Sequence, residues 1–254
     1  MVVSKLSVIR EVRSSQELQN LDISVPQLKS FDSDGVKVEG YYYPPTNLEY
    51  SGTEGSLPPV IFFCHPGPTM KITNGLSVKI QYFTSKGFAV FDINYRGSTG
   101  RGKEFRNLLL GNWGVVDTND MINGAKYLIE EKLIDPKKVC IMGSSAGGFT
   151  VLSTLFHLQN VFCAAVSIYG VSDLEDIYKA SHKFESDYTV RLVAPYPEGI
   201  EVYRQRSAIH NIDKINTPVA FLHGMGRPFA VKNCSFTVAS RYNTTLSMLT
   251  LRWF

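Results

Sequence analysis

Ser145 stands in the run Gly143-Ser-Ser-Ala-Gly147, at the point where an apolar, strand-like stretch gives way to a helix-like one. A serine in that setting can attack an acyl carbonyl. A sharp strand-to-helix turn lifts its hydroxyl clear of the sheet, and glycines at 143 and 147 let the backbone cross without side-chain clash. As a bare pattern the motif is weak, because small-residue turns occur throughout α/β proteins. The strand before it and the helix after it favour a nucleophile elbow, with Ser145 as nucleophile. Acyl transfer also needs two backbone N–H groups aimed at the developing oxyanion. The residue after the nucleophile supplies the first, here Ala146. The second is expected from a loop after an earlier strand, and His65-Pro-Gly-Pro-Thr69 follows the apolar run ending at Cys64. Pro66 and Pro68 have no N–H, which leaves Gly67. A rigid Pro-Gly turn without a catalytic role is the alternative. His65 precedes the nucleophile, whereas the base follows it in this chain order, so His65 is read as shaping the turn.

The elements that must position these groups follow from pattern. Gly35 to Tyr43 reads as a strand, Pro44 to Pro59 as an exposed loop rich in Pro, Gly, Ser and Thr, and Val60 to Cys64 as a short buried strand. Leu76 to Ser85 reads as a helix and Phe88 to Asp92 as a buried strand. Asp117 to Glu131 carries Met121, Ala125 and Leu128 at helical spacing, and Asp135-Pro136 closes that segment before the elbow strand. Ala164 to Ile168 and Val219 to Leu222 are further strands. Strands alternating with helices predict a mainly parallel sheet covered on both faces, the doubly wound α/β class.

Other chemistries fit less well. Gly97-Ser-Thr-Gly-Arg-Gly-Lys-Glu104 nearly spells a phosphate-binding loop, but a glutamate stands where a hydroxyl should meet Mg²⁺, so a tight turn is the better reading. The chain of 254 residues suits one large α/β domain, and its net charge of +3 suggests no nucleic-acid partner. Cys64, Cys140, Cys163 and Cys234 lack metal-ligand spacing, and the first three fall in apolar runs where cysteine acts as a small buried hydrophobe. No metal and no cofactor is expected. Lys5, Arg10, Glu11 and Arg13 interrupt any signal-peptide core, and no later stretch could span a bilayer. A reducing, cytoplasmic setting without membrane contact is the expectation.

Several runs together resemble the catalytic domain of the prolyl oligopeptidase family of serine peptidases, above all its acylaminoacyl-peptidase and dipeptidyl-peptidase-like branches. They are Phe88 to Gly100, ending Asn94-Tyr-Arg-Gly-Ser-Thr-Gly100, then Gly111-Asn-Trp-Gly-Val-Val-Asp117 and Gly143-Ser-Ser-Ala-Gly-Gly148. His182-Lys-Phe-Glu-Ser186 and Pro195-Tyr-Pro-Glu198 resemble the family's later insert. The resemblance implies an α/β-hydrolase fold, a Ser-Asp-His triad, and cleavage of short peptides or acylated amino acids. It also implies a β-propeller ahead of the domain. On that basis residues 1–34 are read as the end of such a propeller, 35–225 as the hydrolase domain and 226–254 as an atypical tail.

The tail departs from the family pattern. After the strand Val219 to Leu222 the chain runs His223-Gly-Met-Gly-Arg-Pro-Phe229, with Arg227 about where the resemblance calls for aspartate. A guanidinium cannot accept the imidazole hydrogen bond. From Lys214 to Phe254 there is no Asp or Glu, and no histidine follows His223, so neither triad partner is identified. His157, His182 and His210 read as structural, and a pairing of His223 with Asp213 places the base one strand too early. The tail is read as replacing the family's last strand, histidine loop and closing helix, which leaves the sheet incomplete and predicts self-association through an exposed edge. Three readings stay open: a serine peptidase, a related serine esterase or acyl hydrolase, and a catalytically inactive form that acts by binding.

Overall fold

The computed structural model describes residues 21–181 and 185–223. Its centre is a seven-stranded sheet in the order β1-β2-β4-β3-β5-β6-β7. These strands are β1 (Gln27–Ser33), β2 (Val36–Tyr43), β3 (Val60–Cys64), β4 (Ala89–Asn94), β5 (Val139–Ser144), β6 (Ala164–Ile168) and β7 (Val219–Leu222). The first two pair antiparallel with each other, and β2 pairs antiparallel with β4. From β4 to β7 every pairing is parallel. The apolar run at β3 is buried at every position, as a central parallel strand requires.

Helices fill the crossovers: α1 (Val78–Ser85), α2 (Gly102–Asn107), α3 (Val116–Glu130), α4 (Ala146–His157), α5 (Leu174–Ala180), α6 (Ser186–Leu192) and α7 (Ile200–Arg206). Met121, Ala125 and Leu128 of α3, with Val151, Leu152 and Leu155 of α4, pack against Phe62, Phe91 and Ile141 on one sheet face. Ile80 of α1 packs against Ile61, Phe63 and Val90 on the other. The spacing read as a helix from Leu76 starts later, at Val78, because the Ser77 hydroxyl accepts from the Ile80 N–H and caps the helix there.

Two expectations change. Residues 27–33 form β1, paired in full register with β2 through the Asp34-Gly35 turn, so the sheet begins ahead of the boundary read at residue 34. Cys163 is exposed and Cys140 half-buried, so only Cys64 of the described cysteines behaves as a buried hydrophobe. Side chains on β5 and β6 alternate between the α4 core and a half-covered face carrying Cys140, Met142, Val166 and Ile168. The expected tail features, Arg227 included, lie outside the described residues, as does His182. Among the described residues no helix is long and apolar enough to cross a membrane.

Candidate active site

The three strands β3, β5 and β6 end side by side, with Cys64 opposite Gly143 and Ser144 opposite Ile168. Ser145 leaves the sheet at that shared end. Its backbone holds φ 54° and ψ −121°, a conformation costly for a residue with a Cβ, and its N–H is tied to the Ile168 carbonyl at 3.0 Å. Serine at a helix N-cap ordinarily spends its hydroxyl on a backbone N–H of the first turn. Here it makes no such bond, because the positive φ turns the side chain away from the helix. The hydroxyl therefore stands at the N-terminus of the twelve-residue α4, whose dipole favours negative charge forming beside it.

Glycine at 143 and 147 is a packing requirement. A Cβ on Gly147 would lie 2.1 Å from the Cys64 carbonyl oxygen, and one on Gly143 would lie 2.3 Å from the Gly147 oxygen. Such approach seats the start of α4 directly against the chain leaving β3, so Ala146 and the loop 65–69 are brought to the same end of the sheet. That loop is braced from several sides. The Tyr95 hydroxyl donates toward the carbonyls of His65 (3.0 Å) and Pro68 (3.3 Å), and its ring stacks on His65 with centroids 4.1 Å apart. The Tyr188 hydroxyl of α6 meets Thr69 Oγ1 at 2.7 Å. A loop so fixed can present the Gly67 N–H without reorganisation, the property an oxyanion donor needs.

The histidines sort by position. His65 Nδ1–H donates to the Pro66 carbonyl and Nε2 lies 2.8 Å from Ser98 Oγ, and burial pulls its pKa down to about 4. It is a neutral turn former, as read from chain order. His157 closes α4 at the end opposite Ser145, roughly 18 Å away along a twelve-residue helix. His210 is exposed in a 3₁₀ turn. His223 stands directly past β7, with the length of that strand between it and Asp213. The glycine-rich run after β4 forms a turn: the N–H groups of Gly97, Ser98 and Thr99 bond to the carbonyls of Phe105, Tyr95 and Met70 and so are not free to hold a phosphate.

Sequence reasoning did not find Tyr95, Ser98 or Tyr188, which hold the loop. Nor did it find the buried Asp117, which accepts from Gly114 N–H (2.7 Å) and Thr150 Oγ1 (2.6 Å) and so ties the start of α3 to α4. The clue to Tyr95 and Ser98 lay in their place one and four residues past a buried strand, in the run Asn94 to Gly100.

Behind the elbow, a cavity of about 400 Å³ lies between α1 and the sheet, lined by Ser144, Met142, Ile168, Lys79 and Asp92 but not by Ser145. Burial raises the Asp92 carboxyl to about 7, opposed by Lys79. The folded group keeps its proton to near that pH while the unfolded one releases it near 3.8, so stability falls as pH rises between those values. Asp92→Asn should flatten that fall in melting curves taken from about pH 4 to about pH 8, by one to a few kcal/mol at the upper end, less than full burial would give because the carboxyl borders an open cavity. His65 acts oppositely, losing stability as pH falls through 6.5 toward 4, so the difference between wild type and Asp92→Asn isolates the carboxyl.

Comparison with known proteins places the chain in a family. The chain is 28% identical over 223 residues to the acylamino-acid-releasing enzyme of Arabidopsis thaliana, covering 83% of this chain and 28% of that protein. It is 32% identical over 213 residues to the uncharacterized peptidase YuxL of Bacillus subtilis, covering 80% of this chain and 30% of the relative. A puromycin-hydrolyzing peptidase of Mycobacterium tuberculosis superposes with a TM-score of 0.84 at 39% identity, over 87% of this chain and 34% of that one. The chain thus spans about 28% of the length of the curated relatives it matches. The prolyl oligopeptidase family model matches residues 74–231, more than half of the 254, and takes in both the elbow and the glycine-rich turn after β4. The fold is that of the α/β-hydrolase peptidases, and the chain belongs to the prolyl oligopeptidase family.

Proposed function

We propose that this chain is a serine-type peptidase acting on amide bonds of short peptides or acylated amino acids, with Ser145 attacking the carbonyl and the N–H groups of Ala146 and Gly67 holding the oxyanion. One observation carries the reading: Ser145 heads a buried helix yet its hydroxyl makes no capping bond. The strain at φ 54° is then the cost of keeping a nucleophile free. The substrate class rests on relatives named as acylamino-acid-releasing enzymes and peptidases. Free Cys64, Cys140 and Cys163 fit a cytoplasmic setting. Among the described residues β7 is an edge strand, and that edge with the half-covered face of β5 and β6 supports self-association.

A second reading, a form that binds without turnover, rests on Arg227 standing about where the family resemblance calls for aspartate. Loss of a triad member costs about 10⁴- to 10⁶-fold in turnover. Matched amide and ester derivatives of one acylated amino acid separate the readings. Amide cleavage abolished by Ser145→Ala establishes the peptidase, and ester cleavage alone establishes an esterase. Equal cleavage by wild type and Ser145→Ala overturns the role of Ser145, and no cleavage of either leaves the binding form.

Ser145→Ala should leave stability within about 0.5 kcal/mol of wild type, since no cap bond is lost. Ser145→Gly should raise it by about 1 kcal/mol through relief of the positive φ, read by urea unfolding. A loss of about 1 kcal/mol in Ser145→Ala would show that the hydroxyl caps the helix after all.

A further inference from the structure

The half-covered face of the sheet holds a second pair of reactive groups, away from Ser145. Cys140, the second residue of β5, pairs in register with Ala164 of β6. Cys163 precedes Ala164 by one residue, and its N–H donates to the Val139 carbonyl at 2.8 Å. With parallel strands about 4.8 Å apart and a rise of about 3.3 Å per residue, that diagonal step sets the two Cα atoms about 6 Å apart, the separation disulfides favour. The sulfurs are already 3.8 Å apart. Cys163 is exposed while Cys140 is half-buried, so reagent reaches one sulfur first and the other waits beside it.

We propose that Cys140 and Cys163 form a modification site, a dithiol that closes to an intramolecular disulfide on meeting a small-molecule disulfide of the glutathione class. The Cys163 thiolate attacks one sulfur of the reagent, the reagent's S–S bond breaks and one small thiol leaves. Cys140, giving up its proton to solvent, then attacks Cys163 Sγ in the mixed disulfide and expels the second small thiol. Two protein thiols are oxidised, one reagent disulfide is reduced to two thiols, and the two protons end on those thiols. Burial and the adjacent sulfur hold Cys140 in its thiol form, its pKa pushed up to about 12, which agrees with Cys163 attacking first.

The new bond would close the loop from 140 to 163, which contains the elbow and all of α4. It ties β5 to β6 at the end opposite Ser145 and so stabilises the unit that carries the serine. The inference does not depend on whether Ser145 turns over substrate.

The test treats the full chain with oxidised glutathione, quenches with an alkylating agent, and reads intact mass, peptide map and melting temperature. The expected product is lighter than the dithiol by about 2 Da and yields one cross-linked peptide pair, Cys140 with Cys163. It should melt about 5 °C or more above the reduced chain and revert on addition of dithiothreitol. Cys140→Ser should stop at a glutathione adduct on Cys163. Cys163→Ser, at an exposed position, should give neither the cross-link nor an adduct on Cys140. A stable glutathione adduct on Cys163 in the wild type, a bond from either cysteine to Cys234 or to another chain, or no reaction overturns the proposal.

Discussion

Gly147→Ala is expected to destabilise the chain by about 3 kcal/mol or more, a large part of the 5–15 kcal/mol that typically separates folded from unfolded domains. The added methyl would meet backbone, not a side chain that can rotate away. Its Cβ would sit 2.1 Å from the Cys64 oxygen and 2.8 Å from the His65 oxygen, so either β3 or the start of α4 must shift. Shifting either one separates Ala146 from the loop bearing Gly67. The variant should therefore lose reactivity at Ser145 even under conditions where it stays folded. Gly52→Ala serves as control, because its nearest contact would be Ser56 Oγ at an ordinary 3.6 Å. Urea unfolding of the two variants checks the claim, and equal stability for both would mean that the elbow is not packed as tightly as its geometry requires.

Asp120→Ala is expected to cost about 3–5 kcal/mol, lowering the melting temperature by roughly 10 °C. Asp120 is fully buried and receives the Arg96 N–H at 2.6 Å, Arg96 Nε at 2.8 Å and the Ser33 hydroxyl at 2.6 Å. Without it the Arg96 guanidinium, only 6% exposed, keeps the half-exposed Asp34 as its one carboxylate. The network joins the β1–β2 hairpin, α3 and the turn after β4, and the next turn residue but one, Ser98, meets His65. Damage at Asp120 should therefore reach the 65–69 loop. Replacing both partners with apolar residues, as in R96M/D120L, should recover much of the loss, since an uncompensated buried charge costs more than a missing pair. A double variant no better than Asp120→Ala, by thermal melting, would contradict that.

Legibility in the sequence tracked the range of the forces involved. Val60–Cys64, Ala164–Ile168 and Val219–Leu222 are short, mainly apolar runs in a parallel sheet, the first buried throughout and the other two in part, and composition alone marks them. The elbow was legible because its motif is five consecutive residues, although the contact that demands glycine at 147 is with the distant Cys64. β1 was not, since Gln27 to Ser33 is mostly polar and becomes a strand through its pairing with β2 and the burial of Phe31 under α3. Helices α5 to α7 are seven residues each and draw their stability from a shared cluster of Leu174, Leu192 and Tyr203, which no local period reveals. The braces on the 65–69 loop span from 27 to 119 residues of chain, beyond the reach of any window. Cys163 misled for a related reason: it falls in an apolar run but sits at the strand's open end.

The central claim is that Ser145 is held free and reactive at the head of α4. Labelling of the folded full chain with a fluorophosphonate, read by peptide mass mapping, tests it most directly. The expected result is a single adduct on Ser145, absent from the equally stable Ser145→Ala variant and from wild type unfolded in urea. No adduct on the folded wild type, or an adduct that persists in Ser145→Ala, would contradict it.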